Sequence, residues 1–469
     1  MEVHANNQRL EALLRALAPD ARAAVCSGAP AAAGDVAATQ DKPRLCIICT
    51  VWYYLTHAQH EGDRFNHGWP MNGSWHHPEV ELVSVYCDQK DNTEVHPHYQ
   101  HLPDDEVPKG DLSAARAEEW GLTVYDSIAE ALRCGGEKLA VDCVLLIGEH
   151  GQYPVDEYQM THWPRYEFFT AITDVFKQDG RSVPVFNDKH LSWSWDLAKE
   201  MVATSQQLDF PLMAGSGLSV TWRMPSWDLP FGAEVVESLV MGGGWLDGGS
   251  YHMIEFTQAL LERRAGGETG VLWVDACKGD AAIAALASGS FDAGGVDPAL
   301  FEACLCRSHS LAQARPGYSA RHPDKDEIVA LLTREDPDPS HEPVEQPMLF
   351  RWKYTDGTCA SMLFAGGLVG DYPFAVRVKG QPEPLSTLCY IPPTPNVHYS
   401  ACLMHCAERM FVTKQPVFPI ERTLVATGVN CAGMKALKDG GPVSLEGLES
   451  VEYLVTDTPK FAGGGGFLG

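Results

Sequence analysis

Six apolar runs of strand length, at residues 45–51, 80–87, 122–125, 140–147, 183–186 and 210–214, alternate with helical patterns. The helical patterns fall at 57–65, 113–120, 127–134, 165–176 and 195–207. A strand that is apolar on both faces must be covered on both faces. Continuous apolar strands separated by amphipathic helices therefore predict a doubly wound parallel sheet. In such a sheet, ligands bind at the carboxyl ends of the strands. The fifth run, Val183-Pro-Val-Phe-Asn-Asp-Lys-His190, ends in polar and charged residues at that edge. Lys189 would then stand over a crevice, or else pair with Asp188 as a structural salt bridge.

The rhythm changes after Gly215. Strand-like alternation at 235–241, 271–276, 347–354, 358–365, 375–379 and 386–391 accompanies helices near 253–264 and 399–412. This predicts an α+β unit with a large, mostly antiparallel sheet. Four segments result: an arm or linker over 1–42, the α/β domain over 43–214, the α+β domain over 215–455 and a glycine-bearing tail over 456–469. A helix is expected within 7–17, a long histidine-bearing loop over 88–111 and an acidic surface excursion over 335–345.

The chain has 469 residues, 45% hydrophobic and 21% charged, ordinary proportions for a globular enzyme. A formal net charge of −27 disfavours nucleic acid and anionic membrane as partners. No apolar run is long enough to span a bilayer. The 14 cysteines show no framework spacing, and Cys46 and Cys49, on one strand, point to opposite faces as small buried hydrophobes. With no secretory signal pattern at the start, a cytoplasmic setting is expected.

Several segments in register resemble the glucose–fructose oxidoreductase / inositol dehydrogenase family. They are 114–132, Val141-Asp-Cys-Val-Leu-Leu-Ile147, Asn187-Asp-Lys-His190, Ala198-Lys-Glu-Met201 and Pro211-Leu-Met-Ala-Gly215. Gly242-Gly-Gly-Trp-Leu-Asp-Gly-Gly-Ser-Tyr-His-Met-Ile-Glu255 is similar to that family's glycine-rich signature, and 416–428 to the segment after its last long helix. The resemblance, covering roughly 43–428, implies a Rossmann-like domain binding NAD or NADP, a sugar, polyol or similar hydroxy-compound as substrate, and a homo-oligomer. It also implies that Lys189 contacts the reacting hydroxyl. In one register Asp247, Gly249 and Tyr251 fall on the signature; with one residue inserted, His252 and Glu255 do, and this second register fits the helix better. His252 is then the general acid/base and Asp247 its orienting or relay carboxylate, unless His252 only caps the helix.

The chain departs from that family where the diphosphate would lie. Cys49-Thr-Val-Trp-Tyr-Tyr-Leu-Thr-His57 holds no glycine, so backbone cannot approach a diphosphate in the usual way. Thr50, Trp52 and Tyr53 are the cofactor-contact candidates there, with aromatic stacking in place of phosphate contacts. Asp88, ending the second strand, is placed to hold ribose hydroxyls, or to cap a loop. Glu149 and His150 follow the fourth strand, and Asp188 and Lys189 the fifth. Trp222, Arg223, Tyr251 and Tyr399 are candidate substrate-lining residues, with Arg377 and Lys379 further possibilities. Eighteen histidines raise the question of a metal: His57-x-x-His60 could supply two ligands, with His150, His190 and His252 converging. His76, His77, His96, His98 and His101 lie in loops without ligand spacing, and no metal is expected. Hydride transfer is the first functional reading. Elimination or hydrolysis by Lys189, Glu149 and His252 is the second, and a non-catalytic scaffold the third.

Overall fold

A computed structural model describes residues 42–71, 74–90, 110–244, 246–313, 321–333, 346–392 and 397–456. The expected helix at 7–17, the histidines at 96, 98 and 101, the acidic segment 335–345 and the glycine tail lie outside the described residues. The described residues from Pro43 onward belong to one compact unit.

The first sheet has six strands: β1 (Arg44–Cys49), β2 (Glu81–Cys87), β3 (Thr123–Tyr125), β4 (Cys143–Ile147), β5 (Val185–Asp188) and β6 (Leu212–Gly215). All pair in parallel, in the order β3-β2-β1-β4-β5-β6. That is the strand order of a dinucleotide-binding fold, whose crevice opens where the order reverses beside β1. Cys46, Ile48, Val144 and Leu146 face one core; Leu45, Ile47, Cys49, Leu145 and Ile147 face another. Cys46 and Cys49 thus lie on opposite faces and are free thiols.

The helices α1 (Ser113–Trp120), α2 (Ile128–Arg133), α3 (Arg165–Asp179) and α4 (Trp195–Gln207) fall where the periodicity predicts them. The segment after β1 differs. Instead of one regular helix over 57–65, it forms a five-residue π-turn, Ala58–Gly62, and a single turn, Arg64–His67. Wide turns of this kind concentrate at functional sites.

The second sheet contains β7 (Arg223–Met224), β8 (Val235–Gly242), β9 (Val271–Lys278), β10 (Met348–Tyr354), β11 (Cys359–Phe364), β12 (Tyr372–Val378) and β13 (Leu385–Cys389). Its order is β9-β10-β11-β8-β12-β13-β7, antiparallel except for β8 against β11. One face packs on α5 (Leu246–Leu261) and α7 (Ile420–Asp439), and this core is continuous with that of the first sheet. The opposite face is covered by helices Asp280–Ser288, Pro298–Arg307 and Lys325–Thr333. The helix α6 (His398–Thr413) packs on the first sheet's other side.

Two expectations need correction. The helix placed at 253–264 begins at Leu246, so Gly248 and Gly249 lie inside it. Gly249 permits that start, because a Cβ there would meet Phe364 at 3.2 Å. The closing segment 416–428 runs into α7 from Ile420 onward, a 20-residue helix with most of its residues buried. No described helix is long and apolar enough to cross a membrane.

Candidate active site

The carboxyl edge of the first sheet is built from three sharp backbone turns. Leu55 after β1, His150 after β4 and Lys189 after β5 all adopt positive φ without being glycine. Each such residue costs about 1 kcal/mol or more, and survives only when its surroundings fix it. At Lys189 the fixing is visible. Its N–H donates to the Gly215 carbonyl at 2.9 Å, tying the turn to the end of β6. Gly215 is itself obligatory: at φ +143 an added Cβ would lie 2.3 Å from Glu255 Oε1.

The turn delivers a fully buried lysine to the seam between the sheets. Lys189 Nζ lies 2.6 Å from His252 Nε2, on α5, and 3.1 Å from Glu149 Oε1, at the end of β4. Glu149 Oε2 accepts from Arg165 at 2.5 Å. Arg165, the first residue of α3, approaches Gly148 so closely that a Cβ there would meet its Cγ at 2.5 Å. Arg165 also stands 3.0 Å from His190 Nε2, which lies 3.8 Å from Asp247 Oδ1. The Thr161 N–H donates to the other Asp247 oxygen at 3.2 Å. A continuous polar chain thus runs His252–Lys189–Glu149–Arg165–His190–Asp247. At its far end Asp247, Thr161 and Leu246 line a cleft of about 680 Å³.

Burial sets the protonation states. It would raise the Glu149 carboxyl, but Lys189 and Arg165 outweigh it and hold the group well below its usual range. Burial and then the Lys189 ammonium push His252 well below an ordinary histidine, so its imidazole is neutral. Burial and Arg165 do the same to His190. Asp247 is pushed up to about 6, chiefly by burial. His252 is only partly buried, so the Lys189–His252 pair is approached from its side.

A second group adjoins the first. His57 Nδ1 lies 2.6 Å from Asp188 Oδ2 and 3.7 Å from Glu61 Oε1. All three residues are buried. His60 is not part of this group: its Nδ1 bonds the Ser400 hydroxyl at 2.7 Å. The sequence pairs His57 with His60, whereas the structure pairs it with Glu61, at the i,i+4 spacing that is the signal for it in the sequence.

The remaining sequence-derived candidates are dispersed. Thr50 Oγ1 donates to the Glu149 carbonyl at 2.6 Å, which latches β1 to β4. Trp52 is buried in the core below the loop, its indole donating to Asp63 at 3.1 Å, and does not line the crevice. Tyr53 is buried as well. Asp88 stands at the end of β2 as expected, and both its oxygens accept from tyrosine hydroxyls, Tyr86 at 2.8 Å and Tyr153 at 2.7 Å. Tyr251 is fully buried, with its ring 5.2 Å from that of His190. The register that puts His252 beside Lys189 is the one with an inserted residue. Arg223 serves the fold: its guanidinium takes the carbonyls of Ser219 and Thr221 and stacks on Phe256. Trp222 lies toward His398, and Tyr399 toward His60. Arg377 pairs with Asp297 and Lys379 with Glu234, both on the second sheet.

A nicotinamide dinucleotide finds a partial fit. Asp88 occupies the ribose position of this strand order. The diphosphate position fits less well, because a cradle needs unpaired backbone N–H groups at a helix start. Here the N–H groups of Thr50, Tyr53, Leu55 and Thr56 are all spent internally, on Ile147, Thr56 Oγ1, Gln59 and Tyr53.

No protein-family model matches the chain, and no curated protein does. Solved structures are similar in arrangement. GenD2 from gentamicin A biosynthesis, in complex with NAD, is 11% identical, with a TM-score of 0.49 over 89% of this chain and 100% of that one. A putative myo-inositol dehydrogenase from Sinorhizobium meliloti is 11% identical, with a TM-score of 0.45 over 86% and 99%. Biliverdin reductase from Synechocystis, with biliverdin and NADP+, is 11% identical, with a TM-score of 0.43 over 84% and 98%.

Proposed function

We propose that the chain is an enzyme that takes the proton from a hydroxyl group of a small polar molecule. Its first reading is an oxidoreductase of the sugar or polyol dehydrogenase kind, using NAD or NADP. The observation that carries it is the Lys189–His252 pair. It spans the two sheets at the carboxyl edge of a parallel sheet in dinucleotide-binding order. The redox part of this reading rests on analogy at the level of the fold.

The proton chemistry follows from the pair. Lys189 is held by Glu149 and donates to a neutral His252. A substrate hydroxyl entering from the side of His252 takes the place of that hydrogen bond. It gives its proton to His252 Nε2, while the Lys189 ammonium stabilises the alkoxide left behind. Arg165 stays protonated and holds Glu149 in place, while Asp247 lies at the cleft on the far side of His190. A bound nicotinamide would supply the hydride acceptor.

A second reading is favoured by the loop after β1. With the N–H groups of Thr50, Tyr53, Leu55 and Thr56 spent internally, the residues present suit elimination or hydrolysis through Lys189, His252 and Glu149. Native mass spectrometry of the purified protein, followed by denaturation and a mass scan of released small molecules, separates the two. Release of NAD(H) or NADP(H), or a thermal shift with either, supports the oxidoreductase. If neither occurs, and candidate substrates lose water or are hydrolysed, the second reading replaces it.

A further inference from the structure

We propose that His57, Glu61 and Asp188 bind a divalent first-row transition cation beside Lys189. The three residues come from two parts of the sheet edge: Glu61 from the π-turn after β1 and His57 from the position just before it, Asp188 from the last position of β5. Their ligand atoms, one imidazole nitrogen and two carboxylate oxygens, all lie within 4.8 Å of one another. Side-chain exposure is 10% for His57, 3% for Glu61 and 0% for Asp188. Glu61 Oε2 and Asp188 Oδ1 are buried without a hydrogen-bond partner.

Buried carboxylates are ordinarily paired, and an unpaired one is expensive. Glu149 is neutralised by Lys189 and Arg165 from either side. The ion pairs shown for Glu61 and Asp188 come from His57 alone, among the described residues. Lys189 and Arg64 also act across space on the Glu61 carboxyl, against the charges of Asp188 and Glu149. A dication would ligate the two carboxylates together with the imidazole and engage the oxygens left without a partner.

The donor set narrows the metal. One imidazole with two carboxylates suits zinc, manganese or iron(II), whereas magnesium prefers oxygen and retained water. Three protein ligands leave an open position, the pattern of catalytic rather than structural sites. A substrate oxygen bound there would lie near Lys189, whose charge already acts on Glu61. The cation would polarise the oxygen whose proton the Lys189–His252 pair removes.

The other such group among the described residues is His76, His405 and Glu408. It lacks the orphaned oxygens, because Glu408 accepts from the Glu79 N–H on one oxygen and bonds His76 on the other, each at 2.6 Å. It serves as the internal control.

The test uses the full chain, stripped with chelator and titrated with Zn2+, Mn2+ or Co2+, with Mg2+ for comparison. Elemental analysis after dialysis should give one equivalent of a transition cation, and cobalt should show ligand-field bands. The variants Glu61→Gln and Asp188→Asn, with folding checked by circular dichroism, should bind at least 10-fold more weakly. His76→Ala should bind as the wild type does. Failure to retain metal, or equal retention by Glu61→Gln, Asp188→Asn and the wild type, would overturn the proposal. So would loss of binding in His76→Ala alone. Nucleotide binding is measured separately, so a chain that binds metal but no NAD or NADP refutes only the oxidoreductase reading.

Discussion

At the scale of single residues, the account depends on a lysine held in an unfavourable backbone conformation so that it can meet a histidine from another sheet. Replacing Lys189 by Met removes the cation that would stabilise an alkoxide and leaves the backbone turn in place. Turnover of a substrate found by screening should fall roughly 10²- to 10⁴-fold, with circular dichroism unchanged. Glu255 gives a different kind of test, one of stability. Burial lifts its carboxyl to about 7 from an ordinary 4.5, although the Ser216 N–H binds it at 2.7 Å. A carboxyl whose pKa is higher in the folded state keeps its proton better when folded. Its contribution is therefore full below about pH 4.5 and is lost as pH rises through 7. The loss amounts to roughly 3 kcal/mol by pH 8. Glu255→Gln, which mimics the protonated form, should flatten the denaturation midpoint between pH 5 and 8. A wild-type slope retained in the variant would assign the titration elsewhere.

At the scale of elements, the helices and strands of the first sheet were legible in the sequence because their apolar runs are continuous and their helices amphipathic. Lys189, Glu149 and His252 were legible too, as charged or titratable groups at strand ends and in a glycine-rich signature. What escaped was set by packing rather than pattern. The helix α7 has most of its residues buried, so it shows no polar stripe to mark its period. The π-turn at Ala58–Gly62 has no sequence signal of its own, and without it the grouping of Glu61 with Asp188 is invisible. Arg165 reads as an ordinary helix start, and only the fold turns it toward Glu149. The fit of α7 against the second sheet yields a prediction. At Gly433 a Cβ would meet the Phe350 ring at 2.3 Å. Gly433→Ala should cost about 1–3 kcal/mol in chemical denaturation. Phe350→Leu in the same chain should recover part of that loss; a double variant no more stable than the single one would contradict the contact.

At the scale of the whole molecule, the two sheets are joined by the same elements that build the site. The helix α7 donates from Thr423 to the Ala214 carbonyl at 2.6 Å, and its Thr427 hydroxyl accepts from the Leu191 N–H at 3.2 Å. The helix α5 brings His252 to Lys189 and Glu255 to the Ser216 N–H. The positions of β5, β6, α5 and α7 are therefore fixed together, and the crevice is part of the core rather than a groove between independent bodies. The most direct measurement follows absorbance at 340 nm when the purified protein, with NAD+ or NADP+ and zinc or manganese, meets a panel of polyols, cyclitols and sugars. The account predicts nicotinamide reduction by the wild type with at least one compound, and none by Lys189→Met. No reduction across the panel, in a protein that neither retains nor binds a nicotinamide, would contradict the oxidoreductase reading.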